Sequence, residues 1–339
     1  MVVVLGLPLL FAYVSAQILP DALWFHELGQ PDVYRGIAVA KVELWLLTAA
    51  MVALIMGANL AVAAARAGVA RTRGVVLGIV ATSVVVATFF ASSAAGHWQE
   101  FLLWRHGQPF GITDPTSGKD VGYFVFSLPF QLAVSGLLLG LITVAAIGVG
   151  LVYRSRGALR LRPLRATYEA QVHLAMLAAA FLLVVAWRFR LERYFLELGQ
   201  PSPADSNPFA GAGYVDVHVR SPGFAALSVL AVVAALACVA APRLARSGRR
   251  RAARLSLAVP AAGLVVTLIS VGSWIPALVQ RFGVDPNPLV SERPFLERSI
   301  AATRSGLGLD QIEAHPYSPT VLSAADVASA RARLADVPV

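Results

Sequence analysis

Charge is scarce in this chain: Asp, Glu, Lys and Arg make up 14% of its 339 residues, where soluble globular proteins carry about 25%. Cysteine is scarcer still. Cys238 stands alone inside an apolar run, so it cannot close a disulfide within the chain, leaves the redox compartment unread, and is taken as small apolar filler. Acidic residues are missing altogether from three stretches. Arg66, Arg71 and Arg73 form one basic block, Arg154, Arg156, Arg160, Arg162 and Arg165 a second, and Arg243, Arg246, Arg249, Arg250, Arg251 and Arg254 a third. These fourteen arginines are half of the 28 Lys and Arg, and the other half face all 19 acidic residues. The net charge of +9 is therefore no nucleic-acid footprint. It is the asymmetry of a membrane protein whose arginine-rich loops stay in the cytoplasm. Catalytic signatures are absent too: the chain has no HExxH, no nucleophile elbow, no paired intramembrane carboxylates and no haem-like histidine pair.

What the chain has in abundance is apolar length. It is 57% hydrophobic with a mean hydropathy of +0.68. Seven runs are long enough to cross about 30 Å of hydrocarbon as helices: residues 1–20, 42–65, 74–95, 124–153, 170–187, 223–241 and 255–280. Helix is expected because backbone polar groups must be satisfied within the segment in lipid. Unbroken runs such as Val75–Phe90 and Leu137–Val152 lack the alternation of a membrane β-barrel. In the first run Val14-Ser15-Ala16 before Gln17 offers a signal-peptidase site, but no Lys or Arg precedes the apolar stretch, as a secretory signal requires. It is read as a span. The arginine blocks fall in loops 2–3, 4–5 and 6–7, so all three put the amino terminus inside and the carboxyl terminus outside. Trp24, Trp98, Trp104, Trp187 and Trp274 fall near the predicted outer ends and Trp45 just inside span 2, as interfacial anchors do.

No span carries a central Asp, Glu or Arg of the kind that ion-coupled transporters use. Lys41 and Glu43 lie at the lip of span 2 and snorkel. Asn59 is deeper and is expected to hydrogen-bond between helices. His173, near the start of span 5, is the one intramembrane titratable candidate for a proton relay, and it has no carboxylate partner in its span.

The outer loops hold the remaining chemistry. Residues 107–120 are dense in Gly, Pro, Asp and Ser, which predicts ordered turns. Gly118-Lys119 is not a phosphate loop, because Asp120 stands where Ser or Thr is required. Val215 to Arg220 alternates apolar and polar residues and is read as a short strand with Asp216, His218 and Arg220 on one face. His26, His97, His106, Asp216 and His218 are the metal-ligand candidates, without any recognised zinc spacing. Glu27-Leu28-Gly29-Gln30-Pro31 and Glu197-Leu198-Gly199-Gln200-Pro201 repeat one pentapeptide, which shared helix-stop chemistry explains. After span 7, Ser291 is expected to cap a helix running to Ser305, with Gly306 as its stop, and residues 324–334 form a second helix. Span 4 offers Gly136, Gly140, Gly148 and Gly150 as close-packing surfaces. Pro260 and Pro276 mark where span 7 can kink.

Several stretches together resemble uncharacterised protein family 0182: Trp24-Phe25-His26-Glu27-Leu28-Gly29, Gly111 to Asp114-Pro115 with Gly122 to Phe126, Gly211 to His218, Pro276 to Phe282, and Glu292 to Arg298. The resemblance covers nearly the whole chain. It implies a bacterial inner-membrane protein with seven spans and a large extracytoplasmic domain. It implies no established activity and no catalytic residues. Similar proteins continue for several hundred residues beyond this length and carry a basic amino-terminal segment that this chain lacks, so a truncated or reduced form is expected.

The fold expected is thus all-α, a polytopic transmembrane helix bundle over residues 1–281, with residues 282–339 as the start of an extracytoplasmic domain. The function expected is a non-enzymatic anchor or scaffold for an extracytoplasmic assembly. A transporter or channel is the alternative, and an intramembrane enzyme the third reading. No cofactor is called for. The expected partners are the lipid bilayer and other membrane or envelope proteins, not nucleic acid.

Overall fold

The long apolar runs do form helices. In the computed structural model, residues 16, 19–162, 164–199 and 211–312 are described. Six helical segments are long and apolar enough to cross a membrane: Pro31–Arg66, Arg73–Ala95, Tyr123–Ser155, Tyr168–Leu198, Asp216–Arg246 and Arg250–Val284. They match the second to seventh expected spans, each extended at one or both ends. The first expected span lies almost wholly outside the described residues. The extensions follow from capping rather than hydropathy. Thr72 and Thr167 each accept an amide from the first turn of the helix they open, as Ser and Thr do at helix starts.

The helical elements are α1 (Pro31–Arg66), α2 (Arg73–Ala95), α3 (Trp98–His106), α4 (Leu128–Ser155), α5 (Tyr168–Phe195), α6 (Ser221–Arg246), α7 (Arg250–Ile269), α8 (Ile275–Val279) and α9 (Pro288–Gly306). Among the described residues a two-stranded hairpin breaks the helical pattern, β1 (Leu159–Leu161) and β2 (Leu164–Ala166), antiparallel with Arg160 opposite Arg165. It turns the second arginine block back on itself.

Small residues sit where helices touch. Ala63, Ala91, Ala94, Ala145, Ala170, Ala231 and Ala235 are buried, while Leu54 (73% exposed), Phe89 (72%) and Val85 (69%) point outward. A helix apolar all round, with its large side chains outside, suits lipid and not water. Val52, Ala87, Phe90 and Leu141 join α1, α2 and α4, and Ala63, Val149, Tyr153, Ala170 and Leu177 join α1, α4 and α5. Of the four glycines in α4, Gly140 and Gly148 do take close contacts, from the Phe90 ring and from Met56 and Leu60, whereas Gly136 and Gly150 face open space.

The connections differ sharply at the two ends. Two arginine connections close on the same motif. Gly68 (φ 69°) and Gly248 (φ 81°) let Val69 N–H reach Ala64 O and Arg249 N–H reach Leu244 O, which satisfies carbonyls left over at a helix end. At the opposite end four π turns occur: Tyr123–Ser127 and Asp216–Arg220 open their segments, Ser270–Trp274 lies within the last segment and Gln280–Val284 closes it. Each is followed, one residue on, by a proline: Pro129, Pro222, Pro276 and Pro286. Proline has no amide hydrogen for the carbonyl four residues back. In each case the residue just before it bonds five residues back instead: Leu128 to Tyr123 O, Ser221 to Asp216 O, Ile275 to Ser270 O and Asp285 to Gln280 O.

This corrects the strand expected at Val215 to Arg220. No neighbouring strand pairs with it, so the segment satisfies its backbone by coiling. Asp216 and Arg220 then meet four residues apart, as helical neighbours do. Pro260 lies inside an α-helix, and the π turn Ser270–Trp274 comes just before Pro276. One further reading is corrected. Ser291 is not a cap but lies within α9, which starts at Pro288, where proline's missing amide costs nothing. The second tail helix falls outside the described residues.

The chain divides into two compact units, Met1–Phe295 and Leu296–Val339. In the second, the described residues finish α9 and form a 3-10 turn, Leu309–Gln311, with Arg304 Nε 3.4 Å from Asp310. Every contact below lies within the first.

Candidate functional site

The end opposite the arginine blocks carries a built polar cluster. At the start of the fifth long helix the amide of Tyr214 donates to both carboxylate oxygens of Glu292, at 3.0 and 3.2 Å, across 78 residues of sequence. The amide of Gly213 donates to Asp216 Oδ2 at 3.2 Å. A Cβ on Gly213 would come within 3.3 Å of the Glu292 carboxylate, so the small residue lets the carboxylate approach. Arg220 Nη1 pairs with Asp216 Oδ1 at 2.9 Å. The His218 ring stacks on Tyr214 at 4.2 Å, and Phe295 meets both rings edge-on at 6.1 and 6.4 Å. His218 Nδ1 lies 2.9 Å from Tyr214 O. A carbonyl can only accept, so that nitrogen carries the proton.

The electrostatics of Glu292 are unusual. Burial raises its carboxyl above the usual range, the Tyr214 amide lowers it, nearby Asp216 raises it again and His218 lowers it. The net direction is upward. Glu292 holds the segment after the last long helix against the opening of α6, and does so while partly desolvated.

A second ordered element is the 107–122 loop. Asp120 gathers three backbone amides, from Phe110 (3.0 Å), Gly111 (2.8 Å) and Gly122 (2.7 Å). The Phe110 amide above all holds its carboxyl below the ordinary range; burial opposes it, and the Gly122 and Gly111 amides add to the lowering. Asp114 Oδ2 accepts from the amides of Thr116 and Ser117 and from the Ser117 hydroxyl. Thr113 and Asp120 form an isolated bridge. The expected ordered turns are therefore present. Lys119 projects over the Tyr123 and Tyr194 rings at 5.5 and 5.8 Å, which joins the loop to α5.

Other polar groups are inside the bundle. His173 Nε2 is 3.1 Å from Asn59 Oδ1, and His173 Nδ1 is 3.0 Å from the Tyr153 hydroxyl. Asn59 donates its amide to Ile55 O at 2.7 Å, which leaves its oxygen to accept from His173. The ring is then protonated on Nε2 and accepts from Tyr153 on Nδ1. The interhelical bond expected of Asn59 is thus present. Tyr153, fully buried, was missed by sequence reasoning. Its only signal was a tyrosine ending a long apolar run.

The metal candidates do not come together. Among the described residues no three His, Cys, Asp or Glu are grouped to hold an ion. His26 is exposed in a helical stretch at 19–27. His97 precedes α3 and lies 3.4 Å from Glu100, His106 ends α3, and Asp216 and His218 share the π turn with the partners already named.

The three arginine blocks do meet at one end. Arg66 Nε lies 3.6 Å from Glu169, beside the second block. Arg246 of the third block lies 4.6 Å over the ring of Tyr168. At the other end charges are paired, as in Arg105 with Glu43 at 2.7 Å and Arg188 with Glu192 at 2.7 Å. Trp98 and Trp104 lie at that same end, Trp98 under Lys41 at 5.6 Å and Trp104 stacked on Phe130 at 4.9 Å.

An almost wholly helical bundle with six membrane-length apolar helices and its charge sorted by end points to a membrane protein. Comparison with known proteins adds the family. A model of the uncharacterised protein family UPF0182 matches residues 1–339, and the chain belongs to that family. A UPF0182 protein of Kocuria rhizophila is 32% identical over 321 residues, covering 90% of this chain and 31% of the relative. One from Arthrobacter sp. strain FB24 is 32% identical over 326 residues, covering 90% and 31%. One from Cupriavidus necator is 34% identical over 316 residues, covering 88% and 33%. The chain thus spans about a third of the length of these curated bacterial relatives. No solved structure matches.

Proposed function

We propose that this chain is the membrane anchor of an extracytoplasmic assembly in the bacterial inner membrane. The arginine end faces the cytoplasm and the Glu292–Tyr214 cluster faces outward. Seven spans put the carboxyl terminus outside. The observation that supports this reading best is the long-range seat of Glu292 and Phe295 on Gly213, Tyr214 and His218. It ties the segment after the last long helix to the bundle at a fixed place. The 107–122 loop, ordered by Asp114 and Asp120, supplies a second rigid outer surface. Short arginine turns leave little room for a partner on the cytoplasmic side.

The test is copurification of the intact membrane complex with cross-linking, comparing the native chain with Glu292→Ala. An anchor loses its bound envelope protein in the variant while inserting normally. Substrate-dependent flux through the purified chain in liposomes would instead establish the second reading, a transporter or channel. One observation favours that reading: the Asn59–His173–Tyr153 chain links three helices inside the bundle.

A further inference from the structure

At the arginine end, α5, α6, α7 and β2 border an open groove of about 960 Å³. Its rim carries Arg165, Arg246, Arg250 and Arg254, and its wall is apolar, with Leu174, Ala178, Cys238 and Leu257 among the lining side chains. Among the described residues no Asp or Glu lines it. Glu169, next in sequence to the lining Tyr168, is drawn instead to Arg66 at 3.6 Å. The Tyr168 ring holds the Arg246 guanidinium at 4.6 Å, an arrangement that positions the charge without neutralising it. Four guanidinium groups around one groove repel each other unless an anion joins them. Arginine is also the side chain best fitted to phosphate, through its planar fork of donors.

The size and the wall decide what kind of anion. A lone phosphate occupies the rim and leaves the apolar wall bare. A phospholipid covers both: its headgroup phosphate meets the rim, and an acyl chain lies along the wall. Basic pockets between helices on the cytoplasmic side are the recurring sites for anionic headgroups. We propose that this groove binds one anionic phospholipid of the bilayer, with its phosphate among Arg165, Arg246, Arg250 and Arg254. The inference requires the helices to be embedded in a bilayer. It does not depend on whether the protein anchors an assembly or moves a substrate.

The test uses the full chain, delipidated in detergent and offered phosphatidylglycerol or phosphatidylcholine, with retained lipid read by native mass spectrometry. Phosphatidylglycerol is expected to be retained about tenfold or more over phosphatidylcholine, and R165Q/R246Q/R250Q/R254Q to lose that preference. R71Q/R73Q/R156Q/R160Q, which removes the same charge outside the groove, is expected to keep it. Ala178→Trp fills the wall while leaving every arginine in place, and is expected to expel the lipid as well. Equal losses in both quadruple variants, or retention by Ala178→Trp, would overturn the proposal. So would displacement of the lipid by glycerol 3-phosphate at comparable concentration, which would mark a site for a free phosphate.

Discussion

The two ends of this bundle are made differently. One end is short and strongly basic: tight glycine-closed turns, a small hairpin, and arginine blocks with no carboxylate inside them, though Arg66 reaches Glu169. The other is long and paired. There Asp114 and Asp120 collect amides, Arg105 meets Glu43, Arg220 meets Asp216, and three helical segments pass through a π turn before a proline. In a membrane protein, a short loop rich in positive charge favours the cytoplasmic side. A long loop whose polar groups are satisfied internally keeps a defined surface shape. The difference separates an end rich in positive charge from an end with a fixed surface.

The largest effect expected concerns orientation. In a background with Cys238 replaced by Ala, single cysteines at Ser247 and Ser305 should label from opposite sides of the membrane. Labelling of both from one side breaks the comparison outright. Replacing the third arginine block by Gln should then leave a mixed population of orientations.

Next comes packing where the paired end closes. A Cβ on Gly223 would overlap both methyl groups of Val271. Gly223→Ala should cost about 1–3 kcal/mol, the usual range for overpacking, read as a lowered thermal midpoint in detergent. Toward the arginine end, His173→Ala strands the Tyr153 hydroxyl and the Asn59 oxygen, and about 1–2 kcal/mol is expected from the same measurement. An unchanged midpoint would mean the buried chain is dispensable.

The smaller effects are pH effects of opposite sign. The Glu292 carboxyl is raised, so its contribution is present below the ordinary carboxylate pKa and lost as pH climbs through the raised value. Cross-linking between positions 214 and 292 should therefore weaken from mildly acid toward neutral pH. Glu292→Gln, which keeps an acceptor and removes the repulsion with Asp216, should flatten that dependence. The Asp120 carboxyl is lowered, so its contribution is present above the ordinary pKa and lost as pH falls through the lowered value. Proteolysis within 107–122 should accelerate only on strong acidification, and Asp120→Ala should show the same cleavage at neutral pH. A pH profile with the two signs reversed would refute the assigned causes.

The position of every described long helix was legible in the residues, because hydropathy and helix length are local quantities. The ordered 107–122 loop was legible too, since Asp, Gly and Ser act on amides two to ten residues away. The alternation at Val215 to Arg220 misled, because period two was read without asking which strand would pair with it. The following Pro222 was the available clue. Glu292 escaped notice as a partner of Tyr214, since nothing near either residue names the other. The groove arginines were read as topology markers, and their shared wall exists only when α5, α6 and α7 are side by side.

Sequence alone determined that this chain forms long apolar helices with their positive charge in alternate connections. Water-free surroundings compel each segment to satisfy its own backbone, so the outcome is written within about twenty to thirty residues at a time. The tertiary structure decided which polar groups meet: Glu292 with Tyr214, His173 with Asn59 and Tyr153, four arginines around one groove. Those encounters depend on how helices distant in sequence pack against each other. Small side chains such as Ala63, Ala145 and Gly223 permit that packing, but no single one of them specifies it.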